Sequence, residues 1–135
     1  MNLKSILHLK QGEPSVSDQL GPYELRTLIS EEEEISMTAY RVVVKAHART
    51  AIGYHEKSEE LYYVIAGQGL AVLNGEEYAL APGDFLRLPP GTRHGFVTGS
   101  ETLEMLDIHH PGSRPDRDIF FVDQAPEGFP VNEER

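Results

Sequence analysis

Apolar side chains recur along this chain in short runs broken by turn residues, and no long window repeats them at the spacing of a helix face. Residues 35–45 form a long strand candidate in which Val42, Val43 and Val44 are β-branched and Arg41, Val43 and Lys45 share one face. Residues 61–65 form another. The clearest hairpin runs from 70–73 through Asn74-Gly75 to 76–80, because Asn-Gly supplies the positive φ angles of a type I′ turn. Ala81-Pro82-Gly83-Asp84 is a further turn, 85–88 a short strand, Pro89-Pro90-Gly91 a rigid bend and 93–98 another strand. Residues 102–109 complete the series before Pro111 stops it. Upstream, 23–29 reads as an irregular strand, 12–22 as turn and 3–9 as a short amphipathic strand suited to a sheet edge at a dimer interface.

Short strands separated by frequent turns predict an all-β sandwich or barrel. The 12 glycines and 9 prolines, spread along the length, suit such a fold, and 135 residues is the size of one domain, 1–135. Residues 112–135 differ in composition: they are rich in Pro, Asp and Arg except for Ile119-Phe120-Phe121-Val122, an apolar stretch that needs cover from the barrel or a partner.

With 22 acidic against 12 basic residues the formal charge is −10, so phosphate backbones and anionic membrane surfaces would be repelled, and neither nucleic acid nor membrane is expected as a partner. The absence of cysteine excludes disulfides, thiolate metal sites and a cysteine nucleophile. No apolar run is long enough to cross a bilayer and the first residues do not resemble a signal peptide, so a cytoplasmic protein is expected. The acidic run 31–34 reads as a solvated loop, because adjacent carboxylates need water.

The candidate chemistry lies in two segments. His55 precedes Glu60 by five residues, Glu60 opens a strand, and His94 follows a Pro-x-Gly turn. If the strands pair, two imidazoles and a carboxylate meet, a ligand set suited to a divalent first-row metal. Glu60 is the telling member, since a carboxylate buried beside imidazoles is costly without a cation.

The same residues carry a resemblance to the cupin superfamily, over about residues 43–111. His55, Glu60 and Gly67 fall at the intervals of the first cupin motif, and Gly83, Pro89, Gly91 and His94 match the second without a gap. The resemblance implies a double-stranded β-helix, a jelly-roll-like barrel with its site in the mouth, holding one divalent metal: Fe, Mn, Ni, Co or Zn. It implies the ligands His55, Glu60 and His94. Three positions depart from the pattern: the first histidine of the His-x-His pair falls on Gly53, the opening motif glycine on His47 and the closing asparagine on Thr98. Gly53 has no ligand atom, which leaves two histidines and one carboxylate, the stoichiometry of non-haem iron oxygenases. A histidine restored at 53 would be expected to complete a four-ligand set.

Other side chains have weaker standing. One of Tyr62 and Tyr63 lines the cavity by alternation, and Tyr54 faces away from the metal. Glu59 is a solvated neighbour of Glu60. His109 and His110 end the last strand, one inward and one outward; either would serve as a substitute ligand, although an exposed pair is the expected reading. Among Arg41, Arg49, Arg87 and Arg93, Arg41 is the best candidate to face a substrate anion. Together these readings point to a homodimeric metal-binding cupin acting on a small polar organic molecule, with dioxygenase-like chemistry first. Metal-dependent isomerisation, cyclisation or elimination is an alternative, and so is non-catalytic binding of a sugar or aromatic acid. A metal-free barrel using Tyr and His as acid and base is a further one.

Overall fold

A computed structural model describes residues 6–11 and 17–129. Eleven strands occur among them: β1 (Ser17–Leu20), β2 (Tyr23–Thr27), β3 (Thr38–Val44), β4 (Gly53–Tyr54), β5 (Glu59–Gly67), β6 (Gly69–Leu73), β7 (Glu76–Leu80), β8 (Phe85–Leu88), β9 (His94–Val97), β10 (Leu103–His110) and β11 (Phe120–Phe121). The only helical element among the described residues is a 3₁₀ turn at Glu31–Glu33. Two antiparallel sheets result, one in the order β1-β2-β3-β10-β5-β8 and one in the order β11-β4-β9-β6-β7. This is the jelly-roll arrangement expected, with the core between the sheets.

The hairpin forms as the Asn-Gly pair dictates: Asn74 and Gly75 both take positive φ, and β6 pairs with β7 from Leu73↔Glu76 to Gly69↔Leu80. Strands β3, β5, β8, β9 and β10 fall where the alternation places them. The pattern did not show β1, which lies wholly in the stretch 12–22 read as turn, nor the two-residue strands β4 and β11, which are too short for a periodicity. Residues 6–9 are exposed and not in a strand, so the edge-strand reading of 3–9 fails there; residues 3–5 lie outside the described residues.

Strand alternation and register explain how one core becomes a site. On β3 the inward row is Thr38, Tyr40, Val42 and Val44; on β10 it is Leu103, Met105, Asp107 and His109; on β5 it is Glu60, Tyr62 and Val64. Pairing stacks these rows in layers: Met105 beside Val42 and Val64, then Asp107 beside Tyr40 and Tyr62, then His109 beside Thr38 and Glu60. The lower layers are apolar and, with Phe96, Ala71, Leu80 and Leu88, make up the core. Each fully buried Val, Leu, Met or Phe stabilises by roughly 1.5–3 kcal/mol. The upper layers are polar and face the mouth. Arg41 and Val43 turn outward instead, and Arg41 pairs with Glu104 at the surface, so the expectation that Arg41 faces the cavity is overturned.

Two of the motif departures have a local account. His47, where the motif has glycine, adopts φ +55°, the left-handed conformation for which glycine is the default residue. Thr98, where the motif has asparagine, bonds through its hydroxyl to the Lys45 carbonyl and accepts from the Ala48 N–H, pinning the turn that contains His47.

Candidate metal centre

Glu60 is buried at 2% exposure, and three imidazoles surround its carboxylate. His55 Nε2 and His94 Nε2 each lie 3.2 Å from Oε1, and His109 Nε2 lies 2.8 Å from Oε2. His55 comes from the loop after β4, Glu60 from β5, His94 from the start of β9 and His109 from β10, so both sheets contribute. One ligand atom each from His55, Glu60 and His109 lies within 4.8 Å of the others. His94 approaches the same carboxylate, and its ring is 5.3 Å from that of His55.

The tautomers of two rings follow from their neighbours. His55 Nδ1 faces the Asp118 carbonyl at 2.6 Å and His94 Nδ1 faces the Thr92 carbonyl at 2.9 Å. A carbonyl only accepts, so each Nδ1 carries the proton, and in the neutral ring Nε2 presents a lone pair. Those lone pairs point at Glu60 Oε1, which has no hydrogen-bond partner despite being buried. Acceptors converging on a carboxylate repel one another unless a cation lies between them. Ligand atoms about 2.1 Å from a metal at right angles stand about 3 Å apart, close to the separations found. The donor set therefore fits a divalent metal, with main-chain carbonyls orienting two of the imidazoles.

Glu60 and the imidazoles also shift one another's protonation. Burial alone would raise the Glu60 pKa, but His109, His94 and His55 together hold it well below the usual carboxylate range. For His55, burial opposes the charged form and the attraction of Glu60 outweighs it, raising the pKa; for His94 burial wins and lowers it. Asp107, one layer deeper, is raised well above its ordinary value by burial first and then by the negative charge of Glu60. Tyr40 is pushed up to about 12, and Tyr62 and Tyr23 are also raised, in each case chiefly by burial, so these phenols stay protonated at neutral pH.

His109 corrects the expectation of an exposed pair: it is buried at 5% exposure, whereas His110 is exposed. The signal was the inward phase Leu103, Met105, Asp107, His109, apolar at one end and continuing unbroken into the polar pair. Of the tyrosines, Tyr62 faces the cavity and Tyr63 faces out; Tyr54 packs on Phe120 beneath the Arg93 guanidinium. Glu59 is solvated and pairs with Arg87.

Gly53 also reads differently in three dimensions. Its residue pairs with His94 on one side and Phe121 on the other, and a Cβ there would meet the Phe120 carbonyl oxygen at 3.1 Å and the Phe121 ring at 3.3 Å. Side-chain space at 53 is crowded by β11, so a histidine placed there needs that strand to give by a few tenths of an ångström as well as adding a ligand. Ile119, Phe121 and Phe129 line the cavity, while Val122 at 54% exposure is outside it; cover of the apolar stretch is therefore partial.

The cation at the cavity wall is Arg114, buried at 7% exposure and absent from the sequence candidates. It donates to Glu34 Oε1 from Nε at 3.0 Å and from Nη2 at 2.9 Å, while Arg117 donates to the same carboxylate at 2.6 and 2.8 Å. Glu34 is thus not a member of a solvated run. The hydrogen bonds from Arg117, ahead of those from Arg114, overcome its partial burial and hold its pKa at about 2, against 4.5 ordinarily. Because the folded value is depressed, this contribution to stability is complete above pH 4.5 and disappears as the pH falls towards 2. Melting of wild type and Glu34→Gln between pH 7 and 3 should show the two curves converging as acid removes the wild-type advantage; parallel curves would contradict it.

The cupin domain profile matches residues 40–109, and the chain belongs to the cupin family. Over 78 residues it is 30% identical to the uncharacterized protein MJ1618 of Methanocaldococcus jannaschii, covering 57% of this chain and 62% of that one. Over 59 residues it is 37% identical to quercetin 2,3-dioxygenase of Bacillus subtilis, covering 44% of this chain and 18% of the enzyme. The chain spans less than two thirds of the length of either relative. Among solved structures, Pac13, a nucleoside dehydratase from Streptomyces, superposes with a TM-score of 0.69 at 25% identity, over 82% of this chain and 87% of that one.

Proposed function

We propose that this cupin is a metal-dependent enzyme that acts on a small polar organic molecule in the barrel mouth, with dioxygenase-like chemistry. The observation that carries the reading is the buried, unpartnered Glu60 Oε1 faced at 3.2 Å by two imidazole nitrogens whose opposite nitrogens are committed to main-chain carbonyls. His55, Glu60 and His94 would hold the metal, and His109 would stand in for the ligand lost at Gly53. A bound divalent ion supplies Lewis-acid polarisation of a substrate oxygen and, if redox-active, a site for oxygen. The chain's own residues supply the rest. Protonated Tyr62 offers its hydroxyl to a substrate oxygen, Tyr40 donates its own to the Ser113 carbonyl at 3.2 Å, and Ile119, Phe121 and Leu25 form apolar walls that exclude water.

The 37% identity to a dioxygenase supports the oxidative chemistry. A second reading, proton-transfer chemistry of the dehydratase type, draws on the likeness to Pac13 and on a cavity rich in phenols and imidazoles. The deciding experiment is metal analysis after reconstitution of metal-stripped protein with Fe, Mn, Ni, Co or Zn, followed by oxygen-uptake assays on enols and diols. Binding of at least one metal near one equivalent is expected. Failure of all five would end the metal-dependent reading and leave the proton-transfer one, while a loaded protein that takes up no oxygen would end the dioxygenase reading.

We also propose a homodimer formed through the outer face of the six-stranded sheet. Tyr63 and its register partner Phe85 are 49% and 59% exposed there, beside Ile65, and the Arg87–Glu59 pair gives the face both signs of charge, as a self-complementary contact needs. Sedimentation should show a dimer for wild type and a monomer for Phe85→Glu; a monomeric wild type would exclude it.

A further inference from the structure

We infer that Asp118 is a positioning residue of the metal centre, and that the segment after the matched cupin region is thereby part of the site. The inference rests on the metal-dependent reading above but is argued from different contacts.

Asp118 adopts φ +58°, a left-handed conformation that Asp and Asn tolerate better than most residues. In this conformation its main chain and its side chain both reach the loop at 55–58. The carbonyl accepts the His55 Nδ1–H at 2.6 Å. The carboxylate accepts from three successive main-chain N–H groups: Glu56 to Oδ1 at 2.9 Å, Lys57 to Oδ2 at 3.1 Å and Ser58 to Oδ2 at 3.0 Å. The Ser58 hydroxyl is shared between the Pro111 carbonyl at 2.6 Å and Asp118 Oδ2 at 3.0 Å.

That loop is the connection between two of the proposed ligands, His55 and Glu60. Holding its N–H groups sets where β5 begins, and so where Glu60 enters. Holding His55 Nδ1–H fixes the ring's tautomer and rotation, and so aims the Nε2 lone pair at Glu60. One residue does both; Ser113 Oγ also lies 3.2 Å from His55 Nδ1 and donates towards the Arg117 and Asp118 carbonyls. Asp118 is itself anchored. Arg114 and Arg117 exchange main-chain hydrogen bonds at 3.0 and 2.8 Å, and both side chains grip Glu34. The segment is fastened to the barrel immediately before the residue that touches the ligand.

The test uses the full chain. Zinc affinity is measured by chelator competition for wild type, Asp118→Ala and Asp118→Asn, and the His55 tautomer by ring ¹⁵N shifts in the metal-free proteins. Outer partners of metal ligands typically contribute 10–100-fold in affinity, so Asp118→Ala, which removes the carboxylate holding the loop and a residue type suited to φ +58°, should weaken zinc by at least about 10-fold; the main-chain carbonyl is kept but loses what holds it against His55, so the single Nδ1–H tautomer should be lost with it. Asp118→Asn keeps one acceptor oxygen and the left-handed tolerance, and should lie between. Val44→Ala, a cavity in the core at the far end of β3, should lower the melting temperature while moving neither readout, which separates positioning from general stability. Wild-type zinc affinity together with an unchanged His55 tautomer in folded Asp118→Ala would overturn the inference. If wild type binds no zinc, affinity is measured with whichever of Fe, Mn, Ni or Co it does bind; if it binds none, the metal-dependent reading is what fails, and the tautomer in metal-free Asp118→Ala still decides whether Asp118 orients His55.

Discussion

Glu60→Gln should abolish metal-dependent stabilisation while leaving the metal-free protein folded. The change is nearly isosteric, so the layer formed with His109 and Thr38 keeps its packing. What goes is the only anion among the proposed ligands. Loss of an outer partner costs 10–100-fold in metal affinity, so loss of this inner, charged group should cost roughly 100-fold or more. In the metal-free variant the new amide N–H₂ group can donate to the His55 and His94 nitrogens that stand 3.2 Å from Oε1, where the carboxylate presented only another acceptor. Stability without metal and affinity for metal should therefore separate. Wild type supplied with metal at about 100 times its dissociation constant gains about 2.7 kcal/mol, visible as a rise in melting temperature. The variant should show almost none at the same concentration. A Glu60→Gln protein whose melting temperature rises with metal as wild type does would show that the carboxylate is not a ligand.

Gly67→Ala is expected to be the most damaging single substitution outside the site. Gly67 ends β5 with φ +84°, and a Cβ at this position would lie 1.8 Å from the Thr102 carbonyl oxygen. The obstructing atom is main chain, held where β10 begins its pairing with β5 at Leu103↔Gly67. It cannot swing aside as a side-chain tip would. Backbone strain in this region costs about 1–3 kcal/mol for a non-glycine residue, and displacing two paired strands adds to it, so a loss of about 3 kcal/mol or more follows. For a chain of this size that lowers the melting temperature by ~10 °C. Gly75→Ala is the matched control: it also has positive φ, but nothing lies within 4 Å of its Cβ, so the strain acts without the collision. Equal melting temperatures for the two variants would refute the argument from Thr102.

Much of the architecture was legible because its causes are local. Alternation along 35–45, 61–65 and 102–109 reflects strands with one face in the core, and Asn74-Gly75 carries its turn in its own backbone preferences. The motif intervals around His55, Glu60 and His94 were legible for the same reason, since regular strands convert spacing along the chain into position around a barrel mouth. The elements that escaped notice lack such local causes. A two-residue strand such as β4 or β11 has no periodicity to read; it exists only because a partner supplies the pairing.

The sequence by itself determined that this is an all-β cupin with imidazoles and a carboxylate at matching positions and a formal charge of −10. Tertiary structure alone decided who else joins them. His109 is buried because register sets its layer beside Glu60, although its own sequence context, ahead of His110 and Pro111, looks like a strand end in water. Glu34 leaves its acidic run to hold Arg114 and Arg117, about 80 residues away along the chain, and Asp118 reaches back over about 60 to hold the loop between two ligands. Gly53, which looked like a lost ligand, is also the space that lets β11 dock. Such contacts depend on distances between segments remote in the chain, and those distances come into being only when both sheets have formed and their loops have met at the mouth.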